Sequence, residues 1–279
     1  MQGQCGACGR MKRRIVLITA MPVLVLRFLQ DAVDRLDRLD VSVPLVIKIY
    51  PSMRFTDRIH DLRRNIRLQA RINQISETAQ LIHHFGYRWF NRSSGKASFE
   101  SSIEQLREVC RVVEVESAND QDAVTAIREE NFEFGILLNA DQLSRRTLDV
   151  VGLPLFNIHY SDPAFVRGRP PVFWEILDNR DHIRITLHRV SLQLDAGAIV
   201  LQRDVPIVWR RTLRETMRTT LQNARGVVIE TLMTGIEKLC DGSAEFRLAE
   251  PGPLRTTPTI SQILQAEAVC RRRFARGNR

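Results

Sequence analysis

Asn157 and His159 lie two positions apart at the end of the apolar run Leu153-Pro154-Leu155-Phe156, and Asp195 stands in the turn Leu194-Asp195-Ala196-Gly197. Along a strand, residues i and i+2 project to one face. Read as a short buried strand, the run therefore delivers an amide and an imidazole to the same side. Ser161-Asp162-Pro163 and Arg167-Gly168-Arg169-Pro170-Pro171 follow as loop chemistry, because glycine and proline punctuate regular structure. The pair thus sits where a strand gives way to a loop, and in open α/β sheets ligands collect outside the carboxyl ends of strands. Asp195 lies between the apolar runs Ile185-Thr186-Leu187 and Ile199-Val200-Leu201 and is able to return to the same mouth. An amide to hold an oxyanion, an imidazole to move a proton and a carboxylate to orient it are what acyl transfer to an amine requires. Each residue alone has a plainer use, as a cap, a satisfied strand-end histidine or a hairpin residue. Together, with the Arg167 loop between them, they favour chemistry. A carboxylate beside His159 predicts a raised imidazole pKa.

The elements that position these groups alternate. Ile15 to Thr19 reads as a strand and Val23 to Leu39 as a helix, with Leu26, Leu29, Val33 and Leu36 at helical spacing. Leu45 to Ile49 reads as a strand, Ile103 to Val109 as a helix and Val112-Val113 as a short strand. Asp120 to Glu130 follows as a helix, Gly135 to Leu138 as a strand and Leu143 to Val150 as a short helix. Such alternation predicts an α/β fold with a Rossmann-like, mostly parallel sheet. Val172 to Leu177 is expected to be helical, the flanks of Asp195 to form a hairpin, and Thr212 to Leu239 to be one long helix capped by Thr212 with Glu215. Pro251-Gly252-Pro253 breaks the chain before a basic tail with Arg271-Arg272-Arg273. Residues 1–11 are expected to be a flexible leader, 12–207 a catalytic domain, and 208–279 a helical extension with that tail. Within the domain, 51–99 reads as a basic helical insertion, in which Arg54, Arg58, Arg63 and Arg67 interleave with Phe55, Ile59, Leu62 and Ile66. A solvated charged face is the plainer account of that pattern, and a surface for an anionic partner the alternative.

With 279 residues and 44% hydrophobic content, the chain can bury a large core, which excludes disorder by composition. Lys and Arg number 41 against 32 acids, a formal charge of +9 that favours anionic partners. Cys5, Cys8, Cys110, Cys240 and Cys270 form no framework. The Cys5-Gly-Ala-Cys8 pair has neither a second pair nor a nearby histidine, so no metal site is expected. The thiols read as reduced. Lys12-Arg13-Arg14 ahead of an apolar stretch mimics a signal peptide, but Arg27 interrupts the run short of the ~20 residues a membrane span needs. The chain is expected to be cytoplasmic, with no membrane span and with Met11 as an alternative start.

Asn157-Ile158-His159, Ser161, Arg167-Gly168 with its prolines, Trp174, Thr186-Leu187-His188 and Asp195-x-Gly197 form an ordered set over about residues 132 to 207. The set resembles the core of the folate-dependent formyltransferases, a family that includes the methionyl-tRNA, glycinamide ribonucleotide and sugar amine formyltransferases and the formyltetrahydrofolate deformylases. The resemblance implies a formyltransferase-type fold and transfer of a formyl group from 10-formyltetrahydrofolate, as co-substrate, to a primary amine. It implies that Asn157 donates to the formyl oxygen as it becomes an oxyanion and that His159 stabilises this oxyanion and moves protons. Asp195 would orient His159 and assist proton transfer. It also places Leu138, Asn139, Leu194, Ala196 and Gly197 at the folate, and Ser161, Arg167 and Gly168 on a substrate loop, with no metal.

Two departures from the family pattern bear on the acceptor. Ser161-Asp162-Pro163 replaces a Ser-Leu-Leu-Pro run, and the turn Thr19-Ala20-Met21-Pro22 lacks the glycines that hold a substrate phosphate on backbone amides in many members. A phosphate at that turn is disfavoured. The expected acceptor is a small-molecule amine of anionic character. A tRNA is disfavoured, because the residues after 207 are too few for the barrel domain of the methionyl-tRNA enzymes. A deformylase, with water in place of the amine, is the nearest rival, ranked second because no amino-terminal regulatory domain is seen. A relative that has lost catalysis and binds nucleic acid is the rival from another class. A homodimer is compatible with each reading.

Overall fold

The computed structural model describes residues 12–49 and 96–277. In β1 (Arg13–Thr19) the apolar residues alternate between two hydrophobic clusters, Ile15 and Leu17 entering one and Val16 and Ile18 the other. A strand covered on both faces requires such an unbroken apolar run, and β1 is accordingly central. It pairs in parallel with β2 (Val41–Ile49) on one side and β4 (Phe134–Leu138) on the other. β3 (Arg111–Val115) adds in parallel to β2, and β5 (Leu155–His159) in parallel to β4. Beyond β5, β7 (His182–Arg189) and β8 (Ile199–Pro206) add as an antiparallel hairpin, giving the order β3-β2-β1-β4-β5-β7-β8. The two-residue strands β6 (Arg167–Gly168) and β9 (Leu254–Arg255) form a separate parallel pair. The α/β class and the mostly parallel sheet are as expected. β2 starts four residues ahead of the expected Leu45, because the partners Arg14↔Ser42 and Val16↔Leu45 leave an extra residue beside Pro44. A bulge is one of the few places where a strand tolerates a proline that cannot donate.

The helices are α1 (Pro22–Arg38), α2 (Lys96–Val109), α3 (Gln121–Arg128), α4 (Arg145–Val151), α5 (Phe173–Leu177), α6 (Leu213–Asp241) and α7 (Ile260–Gly277). One face of the sheet is covered by α1, α2, α6 and α7, through residues such as Phe28, Leu106, Leu232 and Ala266. The other face carries α3 and α4, through Val124, Ile127 and Val151. In α1 the buried stripe is Leu24, Val25, Phe28, Ala32 and Leu36, while Val33 is 51% exposed. The expected stripe of Leu26, Leu29, Val33 and Leu36 is therefore out of phase by part of a turn. α6 begins as expected: Glu215 N donates to Thr212 Oγ1 at 3.2 Å and the Thr212 hydroxyl donates to the Glu215 carboxylate at 2.9 Å, a reciprocal cap.

The expected extension after residue 207 merges with the main core. Val228, Leu232 and Ile236 of α6 lie in the same cluster as β1 and β7. Arg35 of α1 reaches Glu230 at 2.7 Å and Glu237 at 2.8 Å. The leader with Cys5 and Cys8 lies outside the described residues. So does the basic insertion, apart from residues 96–99, which open α2. Among the described residues no helix is long and apolar enough to cross a membrane.

Candidate active site

The sheet order reverses at β1, with β2 and β3 on one side and β4 and β5 on the other. That reversal opens a crevice at the carboxyl ends of the strands. A cavity of about 370 Å3 occupies it, lined by Ala20 after β1, Ile49 at the end of β2, the loop after β4, and Asn157 and His159 of β5. A smaller cavity of about 60 Å3 abuts it, walled by Leu137, Leu143, Val190 and Leu194. The two share Asp141, Gln142, Asn157 and Asp195. The Asn119 side chain braces the loop between them, donating to the Gln142 carbonyl at 3.0 Å and accepting from Ser144 N at 2.7 Å.

Strand alternation presents the side chains. Phe156 and Ile158 are buried in the core, so Asn157 and His159 face the crevice. Antiparallel pairing sets Asn157 opposite His188 and His159 opposite Thr186. The hairpin then returns Asp195 to the same point. Its carboxylate accepts from Asn157 Nδ2 at 3.4 Å and from Gly168 N at 3.1 Å, and lies 3.6 Å from His159 Nδ1 and 3.6 Å from His188 Nε2. His159 Nε2 donates to the Val166 carbonyl at 3.4 Å. His188 Nδ1 donates to the Arg189 carbonyl at 3.0 Å, which leaves the Nε2 lone pair to accept from Asn157 Nδ2 at 3.2 Å. Asp195 itself adopts φ 49°, a left-handed conformation uncommon outside glycine, Asn and Asp.

Electrostatics refines the expectation for His159. Burial is the largest influence and disfavours the imidazolium; Asp195 opposes it without compensating, so the pKa is lowered, not raised. The ring is neutral at pH 7, the state a general base needs. Burial also works against the charge of Asp195. His188, His159 and the Gly168 amide together outweigh it and hold the carboxyl below its ordinary range.

The remaining expected residues divide. Asn139 and Gly168 line the larger cavity and Leu194 lines both. Leu138 is 1% exposed in the core, and Ala196 and Gly197 line neither cavity. A Cβ at Gly197 would fall 1.7 Å from the Arg189 carbonyl oxygen, so this glycine serves the close return of the hairpin. Ser161, expected on the substrate loop, is instead buried and donates to Glu175 Oε1. The other oxygen of Glu175 has no partner among the described residues, and burial pushes its carboxyl up to about 7. Arg167 also turns away from the crevice, donating to the Gly252 carbonyl at 2.7 Å and to the Leu194 carbonyl at 3.0 Å. It ties the carboxyl-terminal segment to the Asp195 turn. At Gly168, φ is 95° and a Cβ would lie 2.2 Å from the Arg255 carbonyl oxygen, so only glycine lets β9 approach. His188, Asp141, Gln142 and Arg169 are the members that sequence reasoning did not assign to the site. His188 could have been found by counting the hairpin register back from the turn. Among the described residues no group of three or more His, Cys, Asp or Glu is placed to hold a metal ion.

Comparison with known proteins gives the family and the fold. A family model described as formyl transferase matches residues 73–232. The methionyl-tRNA formyltransferase of Bacteroides fragilis is 25% identical over 150 residues, covering 53% of this chain and 46% of that protein. The chain spans about half the length of the curated relatives it matches. Among solved structures, a sugar N-formyltransferase from Shewanella sp FDAARGOS_354 is similar with a TM-score of 0.55 at 13% identity, over 93% of this chain and 88% of that one. A 4-N formyltransferase from Francisella tularensis gives a TM-score of 0.57 at 12% identity, over 94% and 87%. At such identities these two likenesses speak for the fold.

Proposed function

The chain belongs to the formyl transferase family, and from that membership we propose that it moves a formyl group from 10-formyltetrahydrofolate to the primary amine of a small, anionic acceptor. The observation that carries the proposal is the meeting of Asn157, a neutral His159 and Asp195 at one point of the crevice. The amine nitrogen attacks the formyl carbon, and the carbonyl oxygen becomes an oxyanion that accepts an Asn157 Nδ2 hydrogen in place of the long 3.4 Å bond to Asp195. His159 takes a proton from the attacking nitrogen and gives it to the folate nitrogen as that bond breaks, leaving a formamide and tetrahydrofolate. Asp195 stabilises the transient imidazolium. An oxyanion donor is worth ~10²–10³ in turnover and a placed acid or base ~10²–10⁴, so Asn157→Ala and His159→Ala are each expected to lose at least about a hundredfold.

The apolar walls and polar rim of the smaller cavity suit the leading edge of a flat heteroaromatic ring, the rest of which lies in the adjoining larger cavity. Gln142, which lines it, donates through Nε2 to the Leu192 carbonyl at 2.9 Å. The larger cavity, at about 370 Å3, has the size of a small-molecule site.

The test is the melting temperature with and without saturating 5-formyltetrahydrofolate, an unreactive mimic of the donor. At about 100 times its dissociation constant a ligand adds ~2.7 kcal/mol, a rise of roughly 5 to 10 °C for a chain of this size. A well-folded sample that shows no rise overturns the proposal. Release of formate instead of a formamide would assign the chain to deformylation.

A further inference from the structure

We propose that Arg169 reads an oxyanion, a carboxylate or a phosphate, on the acceptor and thereby selects which amines reach the formyl carbon; this rests on the formyl-transfer reading above.

The larger cavity extends beyond the reacting groups toward Tyr160, Gly168, Arg169 and Pro171, which do not line the smaller one. That far end is the acceptor side, and among its lining residues Arg169 supplies the permanently charged cation. The paired strands β6 and β9 carry Arg167 and Arg255, and Arg169 directly follows β6. Arg167 is engaged by the Gly252 and Leu194 carbonyls, and Arg255 lies 4.8 Å over the Trp174 ring. Of the three, Arg169 alone has no ion pair, side-chain hydrogen bond or ring contact among the described residues. Its backbone, by contrast, is fixed on both sides: its N–H donates to the Arg255 carbonyl at 3.1 Å and its carbonyl accepts from Trp174 Nε1 at 3.1 Å. A guanidinium left unpaired on a rigid base at a cavity wall is organised for a planar or tetrahedral oxyanion, which it can grip with two parallel N–H donors.

The turn after β1, a second place for an anion in such a crevice, has few amides to offer. Met21 N donates to Thr19 Oγ1 at 2.7 Å, Ala20 N donates to the Leu138 carbonyl at 3.3 Å, and Pro22 has no N–H. Among the described residues that line the cavity, Arg169 is then the cation placed to hold an anionic acceptor. The formal charge of +9 draws such acceptors toward the protein.

Wild type, Arg169→Ala and Arg169→Lys, each saturated with 5-formyltetrahydrofolate, are titrated with inorganic phosphate and with acetate by isothermal calorimetry. Wild type is expected to bind one ion, Arg169→Ala to bind at least about tenfold more weakly, and Arg169→Lys to fall between, keeping the charge without the fork. Preference for phosphate identifies a phosphorylated amine as acceptor, and preference for acetate an amine bearing a carboxylate. Equal affinity in all three proteins, or no ion binding by wild type, overturns the role of Arg169 while formyl transfer stands. Failure of all three to bind the folate mimic overturns formyl transfer itself.

Discussion

Desolvation and Asp195 pull the imidazole of His159 in opposite directions, and desolvation is the larger. The acid limb of the kcat/KM profile, where His159 gains its proton, is therefore expected below the ordinary value of 6.5. Asp195→Asn removes a charge that raises the pKa and is expected to move the limb lower still; a limb above 6.5 in wild type would contradict burial as the controlling influence. Glu175 gives the reverse case. Its carboxyl is raised from 4.5 to about 7, so the folded state holds a proton that the unfolded chain releases, and stability falls as pH rises from 4.5 through 7. Glu175→Gln cannot ionise and is expected to exceed wild type in stability at pH 8 by on the order of 2–3 kcal/mol, with little difference at pH 4.5, in paired urea titrations. Asn157, His159 and Asp195 were legible because strand alternation and a turn are local signals. The burial of Ser161 was not, because it depends on a carboxylate 14 positions away whose own burial comes from packing.

Among the connecting segments, the pairing of β6 with β9 decides whether the Asp195 turn is supported. Gly168→Ala is expected to cost about 1–3 kcal/mol for the backbone conformation alone. It should also part β9 from β6, raising hydrogen exchange at residues 254–255 and weakening 5-formyltetrahydrofolate binding through the lost Gly168 N–H to Asp195. Unchanged exchange there would show that the contact with the Arg255 carbonyl is relieved elsewhere. A pair of two-residue strands carries no periodicity, so no sequence pattern announced it. α1 illustrates a different limit: Val25, Phe28, Ala32 and Leu36 compete with Leu26, Leu29, Val33 and Leu36 as helical stripes, and only the sheet beneath chooses the phase. In β2, a bulge accommodates Pro44, so the strand runs ahead of the expected Leu45.

The core cluster shared by β1, β7, α1 and α6 predicts that the described residues unfold as one cooperative unit from the first strand into the long helix. Ile236→Ala, at a fully buried position of α6, is expected to cost about 2–5 kcal/mol. It should lower near- and far-ultraviolet unfolding transitions together; separation of the two would show that α6 folds apart from the sheet. The alternation of strands and helices, the closing hairpin and the capped long helix were readable from the sequence. The merging of the residues after 207 with the sheet was not, since an amphipathic helix states that it has a buried face but not against what. Arg167 and Gly252, which hold the loop beside Asp195, are 85 residues apart. At a synthesis rate of about 5–20 residues per second, the loop emerges roughly 4 to 17 s before its partner is made. The nascent chain thus carries Asn157, His159 and Asp195 while the strut beside them does not yet exist, so the candidate site is born unassembled and takes its shape only once Gly252 has been translated.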